Sequence, residues 1–405
     1  MMTARSVTYL SFLYLLFTLS CSGDKSIQGF DAVPDGVNRG NILENTFTLL
    51  QVETSFRSDT DSIAAEGSSS RILVGQYHNI ENRMLLKFSD IPDLGTLTGA
   101  SISLEAYAAF ADAEDDSFVV SVHEVLADWS QNTVRSESFN DSYSMDAIAT
   151  GMASLRLTSS DTAANNALQL VLSESGVSTI QDWLATPESN NGFLVDFDAA
   201  NFILQFHSRE AGVSTTRPRL NLTFATGDTS VVASEDTYLV KDLFPDVNGS
   251  ALYVDNSFGH QSVLDFDLSG IPRESVINRA ELVLSLIADE AVLADGGMTL
   301  QVIRLDTNFV DEASFEAPTS FFAVTPAPTI NPGVTEARIP ILSFVQTWTS
   351  RFTVTDNFGI LIRALNPGLD VSRVAFFSSS MDADHSPRME ILYSVAPGIE
   401  TGGLK

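Results

Sequence analysis

The stretch Phe206–Phe224, FHSREAGVSTTRPRLNLTF, has a counterpart at Phe376–Tyr393, FFSSSMDADHSPRMEILY. Each leaves an aromatic-rich strand at a serine (Ser208, Ser378) and crosses a polar loop. Each then passes a Pro-Arg pair (Pro218-Arg219, Pro387-Arg388) into a run of alternating polarity. Alternation with a period of two marks a strand with one buried and one wetted face. One ending written twice implies a duplicated module, and its alternating strands make that module a β structure.

The repeat extends upstream. Arg71–Tyr107 lies over Ser250–Leu286: a short strand, a polar loop, a strand ending in Phe88 or Phe266, then Ile91-Pro92 or Ile271-Pro272. Pro92 and Pro272, and Ala100 and Ala280, are both 180 residues apart. Further on, STIQDWLATPESNNGFLVDF matches SFVQTWTSRFTVTDNFGILIRA, each with a tryptophan (Trp183, Trp348) in a short helical stretch and a glycine (Gly192, Gly359) opening a strand. Segments such as MLLKF, SISLEAY, FVVSVHEV, LQLVL, FILQF and LNLTF are short, alternating and bounded by turn residues. They predict antiparallel sheets packed face to face, hence an all-β chain of two tandem jelly-roll sandwiches. The helical stretch places Val177, Ile180, Trp183 and Leu184 on one face, suited to capping a sandwich end.

Composition agrees. Of 405 residues, 44% are hydrophobic, enough to fill cores, and only 18% are charged. Asp and Glu number 52 against 22 Lys and Arg, a net charge of -30. That field repels phosphate backbones and argues against nucleic acid as a partner.

The first residues read as a targeting segment. Arg5 precedes an apolar run, Val7–Leu19, then Ser20 and Cys21, the only cysteine. A predominantly apolar run of thirteen residues is short of the ~20 that a spanning helix needs and fits a signal-peptide core. The run ending at Ser20-Cys21 resembles a bacterial lipoprotein lipobox, with Thr18 where that family usually has Leu. The resemblance implies cleavage before Cys21, a lipid on Cys21 that anchors the chain to a membrane and, with Ser22 following, an outer-membrane destination in the cell envelope. The expected layout is a signal peptide over 1–20, a flexible tether over 21–45, modules over 46–226 and 227–396, and a tail over 397–405.

The modules themselves resemble the DNRLRE-type domain, also classed as a carbohydrate-binding module of family 96. The resemblance rests on Leu85–Phe88 with Ile91-Pro92, DWSQNTV at Asp128–Val134, WLATPESNNG at Trp183–Gly192 and the closing Phe206–Phe224 stretch. The second copy departs from it, with Phe309 in the tryptophan turn and Ser386 before Pro387. The family implies a β jelly roll and, in some members, binding of alginate or other polysaccharides.

Chemistry-bearing motifs are sparse. No G-x-S-x-G elbow occurs, and His123 begins an HExxH-like run whose second histidine position is Ala127. The five histidines have no metal-ligand spacing. Asp112, Glu114, Asp115 and Asp116 form an acidic loop that offers several oxygens to calcium, although solvated loop charge explains it as well. For a glycan, the candidate contacts are Trp129 and Tyr77, both in polar loops although core or rim packing explains them as well, and a basic group of Arg83, Lys87, Arg217 and Arg219 in the first module. The second module has Asp265 at the Lys87 position, so the glycan site is expected mainly in the first. The favoured function is non-catalytic polysaccharide binding; a structural or adhesive surface protein and a polysaccharide-degrading enzyme are the alternatives.

Overall fold

The computed structural model describes residues 41–48, 50–57, 66–78, 80–111, 117–139, 151–158, 161, 167–198, 202–242, 250–294, 296–311, 315, 322–324, 326–350 and 356–395. Cys21 and the acidic loop 112–116 lie outside them.

The chain begins with β1 (Asn41–Phe47) and β2 (Leu50–Arg57). Then come β3 (Arg71–Tyr77), β4 (Ile80–Lys87), β5 (Leu97–Phe110), β6 (Ser117–Glu124), β7 (Ala153–Thr158) and β8 (Ala167–Val171). Helix α1 (Glu174–Ala185) precedes β9 (Phe193–Phe197), β10 (Ile203–His207) and β11 (Arg219–Phe224). The second series runs β12 (Gly227–Val232), β13 (Glu235–Asp242), β14 (Leu252–Asp255), β15 (His260–Phe266), β16 (Val276–Ser285) and β17 (Met298–Arg304). It ends with β18 (Phe322–Ala323), β19 (Thr329–Ile330), β20 (Glu336–Pro340), α2 (Leu342–Thr349), β21 (Ile360–Ala364), β22 (Arg373–Phe376) and β23 (Arg388–Val395). The fold is all-β and sandwich-like, with antiparallel sheets. Alternation in sequence becomes alternation in burial, most regularly along β23, where Met389, Ile391, Tyr393 and Val395 point inward.

The two repeats have matching sheets. In the first, β11-β5-β8 faces β4-β9-β6-β7, with β10-β3 completing the curl; in the second, β23-β16-β20 faces β15-β21-β17, with β14-β22 in the same role. Each encloses its own core, one around Met84, Phe88, Phe193 and Phe206, the other around Phe266, Leu282, Phe344 and Phe376. In the first sandwich the gap among Val74, Met84, Leu104 and Phe206 is about 10 Å³, the size of a single water probe. The two cores also touch, because Phe258, Val292 and Val371 of the second series join the first core and the Tyr238 hydroxyl donates to the Gly368 carbonyl at 3.1 Å.

The outermost strands are exchanged between repeats. β12 pairs with β11 and β13 with β4, so the opening strands of the second series complete the first sandwich. Reciprocally, β1 pairs with β23 and β2 with β15, completing the second. The chain therefore reads first arm (β1–β2), first body (β3–β11), second arm (β12–β13), second body (β14–β23), with each arm on the opposite body. This corrects the expected layout. The break expected near residue 226 is a hairpin within one sheet, where Phe224 pairs with Gly227. Asn41–Asn45, expected as the end of a tether, lies in β1 against Val395–Ile391. Hydrophobic period reports which face of a strand is buried; it does not report which repeat's edge the strand joins.

The arms are held under flaps. The loop after β6 folds over the outer face of its sheet, where Trp129, Val125 and Phe139 pack with Leu85, Leu194 and the arm residue Leu239. The loop after β17 does the same, with Phe309 and Phe315 packed on Val263, Leu361 and the arm residue Phe56. Trp129 and Phe309, which sit at the same motif position, both clamp an arm.

Candidate functional site

The cations expected to form a basic patch are each committed to a local partner. Lys87 and Arg83 lie four residues apart on β4 and share its outer face. Lys87 Nζ is 3.0 Å from Asp128 Oδ1 and 3.9 Å from Glu235, and its hydrogen bond and charge hold the Asp128 carboxyl below the usual carboxylate range. Arg83 is 2.9 Å from Glu81 and 3.2 Å from Asp196. Arg217 Nε donates to the Ala211 carbonyl at 3.1 Å and Arg219 to the Ser214 carbonyl at 3.3 Å, so both brace the polar loop of the closing motif. Arg83 and Lys87 are neutralised by acids, and Arg217 and Arg219 are engaged by backbone carbonyls.

The two aromatic candidates differ from an exposed stacking platform. Trp129 is only 7% exposed, and its indole N–H donates to the Asn191 carbonyl at 2.7 Å. Tyr77 is half-buried, packed against the first core with its ring 6.5 Å from Phe110 and 4.3 Å from His78. Polar flanks fit exposure or packing for both; Trp129 is buried by the packing of its loop, and Tyr77, at the end of β3, stays half-buried. Trp183 is buried as expected for the helix face, with its indole N–H 3.2 Å from Glu124 Oε1. Among the described residues, no three His, Cys, Asp or Glu side chains are grouped as a metal site, and no helix is long and apolar enough to cross a membrane.

An aromatic surface does occur elsewhere on the first body. The β5–β10 ladder shifts register between Gln205, which faces Ala108, and Phe206, which faces Ala106. Tyr107 is the residue left over at this β-bulge, and it points to the outer face in step with Ser101, Ser103 and Glu105. Half of the residue stays in solvent, at 50% exposure. Arg71, from β3, sets its guanidinium carbon 3.3 Å from the ring centroid, and His207, from β10, meets the ring edge-on at 5.3 Å. Arg71 Nη1 and His207 Nδ1 are 3.4 Å apart. Partial burial and then the Arg71 charge push the imidazole below its ordinary pKa, so at neutral pH it is an uncharged hydrogen-bonding ring. An exposed tyrosine braced by one cation and one neutral imidazole suits a planar or ring-shaped polar ligand. In sequence Tyr107 stands at an outward position of the alternating SISLEAY, and the pairing that brings Arg71 and His207 beside it leaves no local signal.

The second body lacks this surface. Phe376 meets Leu286 as Phe206 meets Ala106, which places Ile287 at the Tyr107 position, Ala251 at that of Arg71 and Phe377 at that of His207. There Ile287, Ala251 and Tyr253 instead form a small apolar cluster with Ala375 and Met381. Its polar feature is internal: Asp255 and His260 are hydrogen-bonded through Oδ2 and Nδ1, and Arg373 lies 5.3 Å from the Phe258 ring. Two hydroxyls of the adjoining strands, Ser55 and Ser262, both donate to the Tyr253 carbonyl. Burial opposes ionisation of Asp255, but His260, Arg373 and the Phe258 N–H together hold its carboxyl below the ordinary value. This arrangement braces the loop that packs on the first core.

No family model matches the chain, and no curated protein matches it. Solved structures with partial likeness include a serine-rich repeat protein from Streptococcus agalactiae, at 9% identity and a TM-score of 0.17, covering 83% of this chain and 95% of that one. The Macrobrachium rosenbergii nodavirus particle gives 7% identity and a TM-score of 0.14 over 91% and 92% of the two chains.

Proposed function

We propose that this chain is a lipid-anchored cell-envelope protein that binds polysaccharide without cleaving it, through the first of its two sandwiches. The observation that carries the reading is Tyr107, half in solvent and fixed by Arg71 and His207 on the outside of a rigid sheet. The resemblance of both repeats to DNRLRE-type, carbohydrate-binding family 96 modules supports the ligand class. The lipobox-like Ser20-Cys21 supports the anchor. A body at -30 favours neutral glycans, or acidic ones approached through a bridging cation such as calcium, with Arg71 as a local counter-charge.

Affinity electrophoresis of the body from Ser22 onward, in neutral and acidic polysaccharide gels with and without calcium, tests this. Retardation in at least one gel, abolished by Tyr107→Ala and unchanged by Ile287→Ala, is the expected result. No retardation across a broad panel would favour the second reading, a rigid structural or adhesive body, which the reciprocal arm exchange also suits.

A further inference from the structure

We infer that the first arm is a transferable donor segment, and that the second body can accept it from a second copy of this chain, linking copies through strand exchange. The inference rests on the strand pairing and not on the glycan reading.

The arm is peripheral to the body it completes. β1 lies at the edge of one sheet, in seven register pairs with β23, and β2 at the edge of the other, in seven with β15. The remaining strands of the second body pair among themselves. Withdrawing the arm therefore unpairs two edges and frees Phe56 from beneath its flap. An exposed edge is a template for another strand, and it selects by main-chain hydrogen bonds and alternate side-chain pockets.

The arm also carries its own recognition code. Phe56 enters under the flap, with its ring 5.3 Å from Phe309 and 5.2 Å from Phe315. Leu43, Phe47 and Leu50 pack on the second core. Asn45 donates to the Tyr393 hydroxyl at 3.0 Å, and Glu53 accepts from the Ser379 N–H at 2.8 Å. A second copy presents all of these in one segment.

The chain itself shows that a body need not take the arm of its own repeat. The second body's own arm, β12–β13, sits on the first body, where it is joined through a tight hairpin. The second body is consequently filled by whichever first arm can reach it. Within one chain, residues 58–65 join the arm covalently to the first body, and an intramolecular partner has an effective concentration on the order of millimolar. Dilute chains close on themselves. Chains crowded to comparable concentration, or refolded together, exchange. Reciprocal exchange closes a dimer, and one-way exchange extends a chain of copies.

Two full-length variants in a Cys21→Ser background test this, Ile42→Cys and Ser394→Cys, whose positions pair across β1 and β23. They are mixed, unfolded and refolded together under mild oxidation, from about 1 µM to about 1 mM, bracketing the effective concentration of the tether. A chain carrying both cysteines is refolded in parallel. The expected result is internal closure of the double variant in dilute solution and a disulfide-linked heterodimer whose yield rises at least several-fold across the range. Heterodimer no more abundant than the two random homodimers at every concentration, with the double variant closing internally throughout, would overturn exchange between copies. Failure of the double variant to close at any concentration would overturn the arm pairing itself.

Discussion

The backbone N–H of Arg209 donates to the Asp236 carboxylate at 2.6 Å, tying the residue after the first closing strand to the second arm. The opposite repeat has the same latch: the Ser379 N–H donates to Glu53 of the first arm at 2.8 Å, and the Ser379 hydroxyl reinforces it. Each arm therefore carries an acid at the point where it crosses the end of the opposite body. The Arg209 guanidinium adds a bond to the Ser234 carbonyl beside Asp236.

The first latch titrates. Burial pushes the Asp236 carboxyl up from 3.8 to about 7, against the Arg209 N–H and charge, which pull it down. A raised folded-state value means the native state holds a proton that the unfolded chain releases. The stabilisation is complete below pH ~4 and is lost as pH rises through about 7. At about 1.4 kcal/mol per unit, the loss amounts to as much as ~4 kcal/mol. Asp236→Asn keeps an acceptor for Arg209 and removes the titration. Urea midpoints at pH 4.5, 6 and 8 should show the parent losing stability relative to the variant as pH rises. A difference that stays flat over that window would remove Asp236 as its source.

Two glycines separate a required conformation from a merely allowed one. Gly192 and Gly359 have φ of +79° and +91°, and a Cβ on them would lie 2.2 Å from the Leu86 carbonyl oxygen and 2.7 Å from that of Leu264. Each follows an asparagine (Asn190, Asn357) that donates to the Phe88 or Phe266 carbonyl at 2.7 Å and accepts from the glycine N–H at 3.1 Å. Gly333 has φ of +81° with open space around its Cβ direction. Gly333→Ala should cost about 1 kcal/mol, the price of the left-handed region alone. Gly192→Ala and Gly359→Ala should each cost about 3 kcal/mol or more. Thermal unfolding of the three variants gives the ranking; equal shifts would mean the backbone relaxes away from the clash.

These same residues show what was legible in sequence. The duplicated glycine, the tryptophan helices and the closing motif sit at equivalent places because each answers a local demand of turn or face, and local demands leave local signals. Gln181 and Gln346, two residues before Trp183 and Trp348, were visible as a repeat but not interpretable. Their side chains accept from the Leu97 and Ile277 N–H groups, contacts set by tertiary placement. The arm exchange left no periodic trace, since β12 has the same alternation on either body. For Trp129 exposure and packing both fit the sequence, because a flap is a loop in sequence and a lid in space. Tyr107 reads in sequence as one more outward strand position, and only strand pairing brings Arg71 and His207 beside it.

The exchange predicts which fragments fold. Residues 66–242 contain the first body and the second arm in one continuous piece, so every strand from β3 to β13 finds its partner. Residues 46–226 contain the first body without the strands that cover β11 and β4. The first fragment should give a β-type circular dichroism spectrum and one cooperative melt. The second should aggregate through its open edges or melt without cooperativity. If 46–226 folds as well as 66–242, the first arm is able to complete its own body and the exchange is a choice between near-equal partners.

Trp129 distinguishes a clamp from a sugar platform. Its ring packs with Leu85, Leu194 and the arm residue Leu239, and its N–H reaches the Asn191 carbonyl next to Gly192. Trp129→Ala removes both and should destabilise by about 3–5 kcal/mol, the usual cost of a large buried aromatic. Trp129→Phe keeps most of the packing and loses the hydrogen bond, for about 1 kcal/mol. In Trp129→Phe, retardation in a polysaccharide gel should equal that of the parent, while Tyr107→Ala should melt at the parent's temperature within a degree or two and lose retardation. The two variants thus exchange phenotypes: one changes stability and not binding, the other binding and not stability. A Trp129→Phe protein that melts normally but no longer binds would return the tryptophan to the ligand surface and displace Tyr107 from it.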